Sequence, residues 1–337
     1  MHSYDHAELE AYLSAHVPGF GRLDDIEKFS GGQSNPTYRL RSGLGSYVLR
    51  AKPPGKLLPS AHAVDREFRV MSALAGQVPV PEMLHLSGEE TPLGTQFFVM
   101  RHVDGLIYWD PAMPESTAEQ RAAVYDAMNR MLADLHKLDP AELGLSDYGK
   151  PGNYFERQLA RWVKQYRASE TEPRADVDWV IDWLTANMVA DDGKVAIVHG
   201  DYRIDNIIFD DASQPLALLD WELSTLGHPL ADLAYQIMIW QLPNAGRFKG
   251  LHGIEREALG LPTDESYIAT YCDRSGIQVP PNWNFFLAFT CFRFLAIIQG
   301  VLKRGLDGNA SNPAGLAVMR GMVDLLAQQA KAIANQK

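Results

Sequence analysis

The chain is short of cysteine, of excess positive charge and of uninterrupted apolar sequence. Only Cys272 and Cys291 occur in 337 residues, and they show no metal-ligand spacing. Two such thiols suggest no disulfide framework and read as core residues in a reducing compartment. Lysine and arginine number 31 against 42 aspartates and glutamates, a formal charge of −11. That balance argues against nucleic acid or an anionic membrane as a main partner. The longest apolar run, around Phe285 to Val301, is broken by Arg293, Gln299 and Gly300, which predicts a buried helix rather than a membrane span. The opening MHSYDHAELEAYL lacks the basic-then-apolar order of a signal peptide, so a cytoplasmic protein is expected. Internal repeats and low-complexity tracts are absent. Nothing in the sequence reports the oligomeric state.

The length exceeds what one core usually spans, so two lobes are expected. The feature that organises them is HGDYRIDNIIFD, His199 to Asp210, followed by LLDWE, Leu218 to Glu222. VAIV, NIIF and LALLD around it read as three short strands bounded by turn residues. Asp201 and Asn206 then lie on a tight loop between two strands, and Asp220 ends a third. Oxygen ligands on short loops over a strand frame suit a divalent cation and its phosphates. The five-residue step from Asp201 to Asn206 is the spacing of a kinase catalytic loop. Any one of the three side chains alone reads better as a loop cap or strand terminator; the set at this spacing does not.

Before the motif the chain is β-rich. Residues 5–17 form a short helix closed by Pro18-Gly19. Two strands then flank Gly31-Gly32-Gln33-Ser34-Asn35, a hairpin tip whose amides can lie over phosphates. Such a tip alone is more often only a turn. In SYVLRAK, Tyr47, Leu49 and Ala51 share one face, and Val48, Arg50 and Lys52 the other. A cation there either meets phosphate charge or forms a solvated edge. A helix over 62–76 carries Val64, Phe68, Met71 and Leu74-Ala75 inward and stops at Gly76, with Glu67 beside the stripe and able to reach the strand cation. MLHLS and TQFFVMRHV are two further strands. The second ends at His102-Val103-Asp104-Gly105, where the pattern changes to helices; free backbone groups there suit an adenine edge with Phe98 and Met100 along its ring plane, and a plain strand exit with core aromatics is the alternative. The lobes are placed at 1–101 and 102–337.

The second half reads as helices. One covers 117–138, with Ser116 and Glu119 spaced as a capping box, and His136 near its end as a core or terminal residue. Others span about 153–168, 174–190, from Pro229, 265–275, 283–303 and 313–337. Asp232, in an apolar helix start, is either a surface cap or buried and hydrogen-bonded. Arg293 is the one charge in an apolar helix and needs an anionic partner.

HGDYRIDN…LLDWE with GHPLADLAY resembles the aminoglycoside phosphotransferase/choline kinase family. Within it, SGGQSNPTYRL and YVLRAKPPGKLLPSAHAVDREFRVMSAL most resemble the kinase-like region fused to some acyl-CoA dehydrogenases. The likeness runs from residue 31 to the C-terminal helices. It implies an α+β, bilobal protein-kinase-like fold: a β-rich N-lobe, then a helical C-lobe with a small β insert carrying the catalytic loop. It also implies ATP and Mg²⁺ as cofactors. Asp201 would be the base or hydroxyl-orienting group, Asn206 and Asp220 the metal ligands, Glu67 the partner of the strand cation, 101–104 the adenine linker, and Asp232 a brace for the loop. Arg50 stands where the family places a lysine, which leaves Arg50 or Lys52 as the phosphate cation. Arginine can serve by bidentate contacts.

Only about ten residues separate Asp220 from the helix at Pro229, leaving no room for a peptide-binding shelf. A small hydroxylated acceptor is therefore expected. Asp205 and Glu222 suit a cationic acceptor, as in antibiotic phosphorylation; Arg293 suits an anionic one, such as a hydroxy-acyl group or its coenzyme A thioester, or else makes an internal salt bridge. A catalytically silent nucleotide-binding module is the competing class.

Overall fold

A computed structural model describes residues 4–29, 35–53, 63–246, 248–309 and 313–336. The glycine turn Gly31, Gly32, Gln33 and Ser34 lies outside the described residues.

The first lobe is a five-stranded antiparallel sheet of β1 (Leu23–Lys28), β2 (Thr37–Ser42), β3 (Gly45–Ala51), β4 (Met83–Leu86) and β5 (Phe97–Arg101), in spatial order β1-β2-β3-β5-β4. Period-two alternation gives β3 two buried faces. Tyr47, Leu49 and Ala51 pack with Leu9 and Leu13 of α1 (His6–His16), a helix capped by Asp5 accepting from the Glu8 N–H. Val48, with Phe98 and Met100 of β5, faces α2 (Val64–Leu74) and joins the core of the second lobe. The α2 stripe is Val64, Val70, Met71 and Leu74, with Phe68 half-buried; the expected Ala75 is exposed, because the helix has ended there.

The second lobe holds α3 (Ala118–Lys137), α4 (Tyr154–Ser169), α5 (Ala175–Ala186), α6 (Leu230–Trp240), α7 (Asp264–Ser275), α8 (Trp283–Arg304) and α9 (Pro313–Ala334). The α3 capping box is Thr117 with Gln120, one residue later than the Ser116–Glu119 pair expected. Between α5 and α6 lie four short strands: β6 (Ala196–Val198), β7 (Ile207–Phe209), β8 (Pro215–Leu218) and β9 (Thr225–Gly227). They pair as two ribbons, β6 with β9 and β7 with β8. Sequence periodicity predicts only three, since three residues ending in glycine carry no alternation. The architecture is α+β and bilobal, with a helical lobe that contains the small β insert.

By length and apolarity α8 would cross a membrane, yet 83% of its most apolar stretch is buried inside the protein. Phe285, Phe286 and Phe289 all meet the ring of Phe155 on α4 edge-on. Cys291 is buried on the same helix, where loss of solvation pushes its thiol well above the ordinary range.

Candidate active site

The loop after β6 is fixed from below by α6. The N–H groups of His199 and Gly200 each donate to the Asp232 carboxylate at 2.7 Å. His136 lies 3.2 Å from the same carboxylate, and Tyr271 meets its other ring nitrogen at 2.6 Å. Burial raises the Asp232 carboxyl, but His136, His199 and the backbone amide outweigh it, so the group sits below its ordinary value. Gly200 has φ +87°, and a Cβ there would stand 2.6 Å from the Leu223 carbonyl oxygen. Only glycine fits both the backbone and the space.

On this base, Asp201 is held on both oxygens. Asn206 Nδ2 donates to Oδ2 at 3.1 Å and to the Asp201 carbonyl at 2.9 Å. Arg203 Nε lies 3.2 Å from Oδ1, and the Tyr235 hydroxyl donates to that oxygen too. Burial disfavours the charged carboxylate, but Arg203, Tyr235, His199 and Asn206 more than offset it and hold the group ionised. Asn206 donates its amide nitrogen to Asp201, which leaves Oδ1 as the acceptor atom of that side chain.

Asp220, two residues beyond β8, has φ +64°, a left-handed conformation that aspartate adopts more readily than most residues other than glycine. The Arg50 guanidinium reaches it from β3, Nη2 to Oδ1 at 2.8 Å, and comes within 3.4 Å of Glu222. Its Nε lies 3.0 Å from Glu67 on α2, and Glu67 also accepts from Asn35 Nδ2 at 2.9 Å. The sheet cation, helix glutamate and Asp220 thus converge on one point of the cleft. Lys52 instead meets Glu89 at 3.3 Å, toward the outer edge of the sheet.

A family model of phosphotransferases, the phosphotransferase enzyme family APH, matches residues 25–265. The chain belongs to the phosphotransferase enzyme family. It is 42% identical to rat acyl-CoA dehydrogenase family member 11 over 93% of this chain and 41% of that protein. The mouse family member 10 is 45% identical, over 90% of this chain and 28% of the relative. The chain therefore spans well under half the length of these relatives. Among solved structures, a candidate aminoglycoside phosphotransferase from Ralstonia eutropha superposes with a TM-score of 0.85 at 44% identity, covering 98% of this chain and 99% of that one. A ternary complex of aminoglycoside phosphotransferase APH(4)-Ia with AMP-PNP and hygromycin B has a TM-score of 0.62 at 17% identity, covering 95% and 98%, a likeness of fold.

In this phosphotransferase the segment joining the lobes leaves β5 at Arg101, whose N–H donates to the Glu82 carbonyl at 2.8 Å. The His102 N–H donates to Ser46 at 3.1 Å, and Val103 makes no backbone hydrogen bond among the described residues. Met100 is 9% exposed on the face shared with Val48. The segment is then tied down by a two-way backbone bridge between Leu106 and Phe209 of β7.

On the opposite side of Asp201, Arg203 Nη2 pairs with Asp205 at 3.0 Å. A cleft runs from this loop between Trp109, Pro111, Trp240 and Lys249. Lys249 meets Asp110 at 2.6 Å, while Trp109 is 70% exposed at the rim. Arg293 is buried, and among the described residues no carboxylate lies within ion-pair distance of it. The internal salt bridge is absent there; the guanidinium carbon instead lies 5.6 Å from the ring centre of Trp162 and 5.8 Å from that of Tyr235. Arg203, Tyr235 and the Trp109–Lys249 cleft escape a reading by sequence motif. Arg203 was the accessible one, two residues after Asp201; the others come from distant elements.

Proposed function

We propose that this phosphotransferase is an ATP-dependent small-molecule kinase that phosphorylates a hydroxyl of an anionic, hydroxy-acyl acceptor. The observation that supports it best is that Asn206, bonded to Asp201, is tied to the Asp220 strand end by the Leu219 N–H at 2.8 Å, while Arg50 reaches Asp220 from the sheet lobe. Phosphoryl transfer asks for an in-line hydroxyl and charge neutralisation, with little covalent help. Asp201 orients the acceptor's O–H and takes its proton as the oxygen bonds to the γ-phosphorus. Arg50, directed by Glu67, pairs with the non-reacting phosphates, and the chain at Met100, Arg101, His102 and Val103 meets the adenine edge. Asn35 belongs to this nucleotide side through Glu67.

No three His, Cys, Asp or Glu side chains converge as a closed metal cage among the described residues. The Asn206 and Asp220 oxygens suit Mg²⁺, which takes one or two protein ligands with phosphates and water completing its shell. When bound, the ion neutralises β- and γ-oxygen charge.

For the acceptor, Asp205 is matched by Arg203 and Glu222 lies on the Arg50 side, so neither carboxylate stands open to a cationic antibiotic. Arg293, with aromatic rings for neighbours, supports an acceptor carrying negative charge. The acyl-CoA dehydrogenase names of its relatives agree with an acyl body. Residues 102–337 would supply this side and 1–101 the nucleotide side, within a cytoplasmic enzyme. The test is ATP consumption over a panel of hydroxy acids, their coenzyme A esters and aminoglycosides. Turnover on the first two groups that vanishes in Asp201→Ala, with acceptor KM raised by Arg293→Met, is expected. Nucleotide binding with no turnover on any acceptor would favour a silent module.

A further inference from the structure

Every aspartate and glutamate of the chain lies among the described residues, and none comes within ion-pair distance of Arg161 or Arg293. Neither guanidinium makes a hydrogen bond among those residues. Neighbouring arginines are satisfied: Arg157 Nε donates to the Gly152 carbonyl at 2.8 Å, and Arg66 Nη2 to that of Tyr148 at 2.7 Å. The two unsatisfied groups lie about one indole. The Arg161 guanidinium carbon, from α4, is 5.4 Å from the Trp162 ring centre, and that of Arg293, from α8, is 5.6 Å away. Arg293 is 7% exposed, whereas the Arg161 side chain reaches solvent. Partial loss of solvation, then Arg293 and Arg66, hold the Arg161 guanidinium below its ordinary value. Beside them stand the phenols of Tyr154 and Tyr235, which burial keeps neutral. Two like charges without a counter-ion, one of them buried, are costly, and a shared indole offsets only part of that.

Resting on the kinase reading above, we infer that Arg161 and Arg293 together form an oxyanion site for the acceptor, taking a carboxylate or phosphate group beside the Trp162 indole. The ligand supplies the negative charge that the chain leaves out. A planar guanidinium matches either oxyanion by paired N–H···O contacts, and it keeps its charge. Arg161 meets the anion at the solvent edge, and Arg293 receives it where water is scarce and the attraction stronger. The site is also close to the chemistry. The Arg293 guanidinium carbon lies 5.8 Å from the ring centre of Tyr235, whose hydroxyl donates to Asp201. One aromatic side chain thus separates the anion site from the proposed base, so the charged group and the reacting hydroxyl belong to one acceptor. Two sources share this chemistry: the carboxylate of a free hydroxy acid, and the phosphates of its coenzyme A thioester.

The test is calorimetric titration of the full chain, its nucleotide site filled with MgAMP-PNP, using 3-hydroxybutyrate and coenzyme A as separate probes. At least one should bind, and Arg161→Gln and Arg293→Met should each weaken it about 10- to 100-fold, the scale of a lost charged hydrogen bond. Binding of 3-hydroxybutyrate alone assigns the site to a carboxylate, and of coenzyme A alone to phosphates. Thermal unfolding separates this role from a structural one. Without probe, Arg293→Met should melt at or above wild type, since the charge it removes has no partner. The probe should raise the Tm of wild type and not of Arg293→Met. No binding of either probe, or unchanged affinity in Arg161→Gln or Arg293→Met, overturns the site. The kinase reading survives that result if MgAMP-PNP still binds and ATP consumption still depends on Asp201. Failure to bind MgAMP-PNP overturns the kinase reading, and the acceptor role with it. Should Arg293→Met not fold, Arg161→Gln, at an exposed position, decides alone.

Discussion

Arg50 and Asp220 meet across the cleft at 2.8 Å although 170 residues separate them. The contact joins the sheet lobe to the proposed metal-ligand position and makes one guanidinium answer to three carboxylates. Burial drives the Glu67 carboxyl up to about 7, with Arg50 opposing and Asp220 and Glu222 adding to the rise. Arg50 is in turn held fully charged, because those carboxylates outweigh its own burial.

Arg50→Met should therefore raise the nucleotide KM by roughly 10- to 100-fold, the scale of a lost charged hydrogen bond. Arg50→Lys should recover part of it. Titration of ATP in a coupled transfer assay reads both, and an unchanged KM in Arg50→Met would move the phosphate cation to Lys52.

Asp232→Ala leaves the buried amides of His199 and Gly200 without their acceptor. Each unsatisfied donor costs about 1–3 kcal/mol, so a urea midpoint well below wild type is expected. Loss of kcat should accompany it, because the loop that carries Asp201 is no longer held.

Gly200→Ala meets both a left-handed backbone and the Leu223 carbonyl at 2.6 Å. A destabilisation of about 1–3 kcal/mol is expected for the backbone alone, read as a lower Tm. The same change at Gly19, with φ +69° and nothing within 4 Å, should cost less.

His228 contributes to the loss of stability in acid. Burial lowers its pKa below 6.5, although Asp192 pulls the other way. Its ring packs on Phe155 and Phe286, and its Nδ1 accepts from the Leu230 N–H at 3.2 Å, at the start of α6. The unfolded chain binds a proton here first, so this contribution is intact above pH 6.5 and lost as pH falls through the lower folded value. Urea midpoints at pH 8 and pH 5.5 should differ by less in His228→Asn than in wild type.

The candidate site residues stood out in the sequence because they are local. Asp201, Asn206 and Asp220 sit within twenty positions, on a loop whose strands are marked by turn residues at each end. Arg50 and Glu67 were legible for a related reason: strand alternation and helix periodicity each aim one side chain, and the two directions meet. β9 escaped because Thr225-Leu226-Gly227 lacks the apolar run that marks the equally short β6 and β7, and the α3 cap slipped by one because Ser116 and Thr117 are chemically equivalent candidates.

By itself the sequence determined the two lobes, the placing of the Asp201 loop between short strands and the cation–glutamate pair, since periodicity and spacing act over a few residues. Only the tertiary structure decided what surrounds Asp201 and Arg293. Tyr235 comes from α6, Trp162 from α4 and Arg293 from α8, and no local pattern brings three helices together at one guanidinium. Their meeting follows from how apolar helix faces pack, which depends on the shape of the whole core.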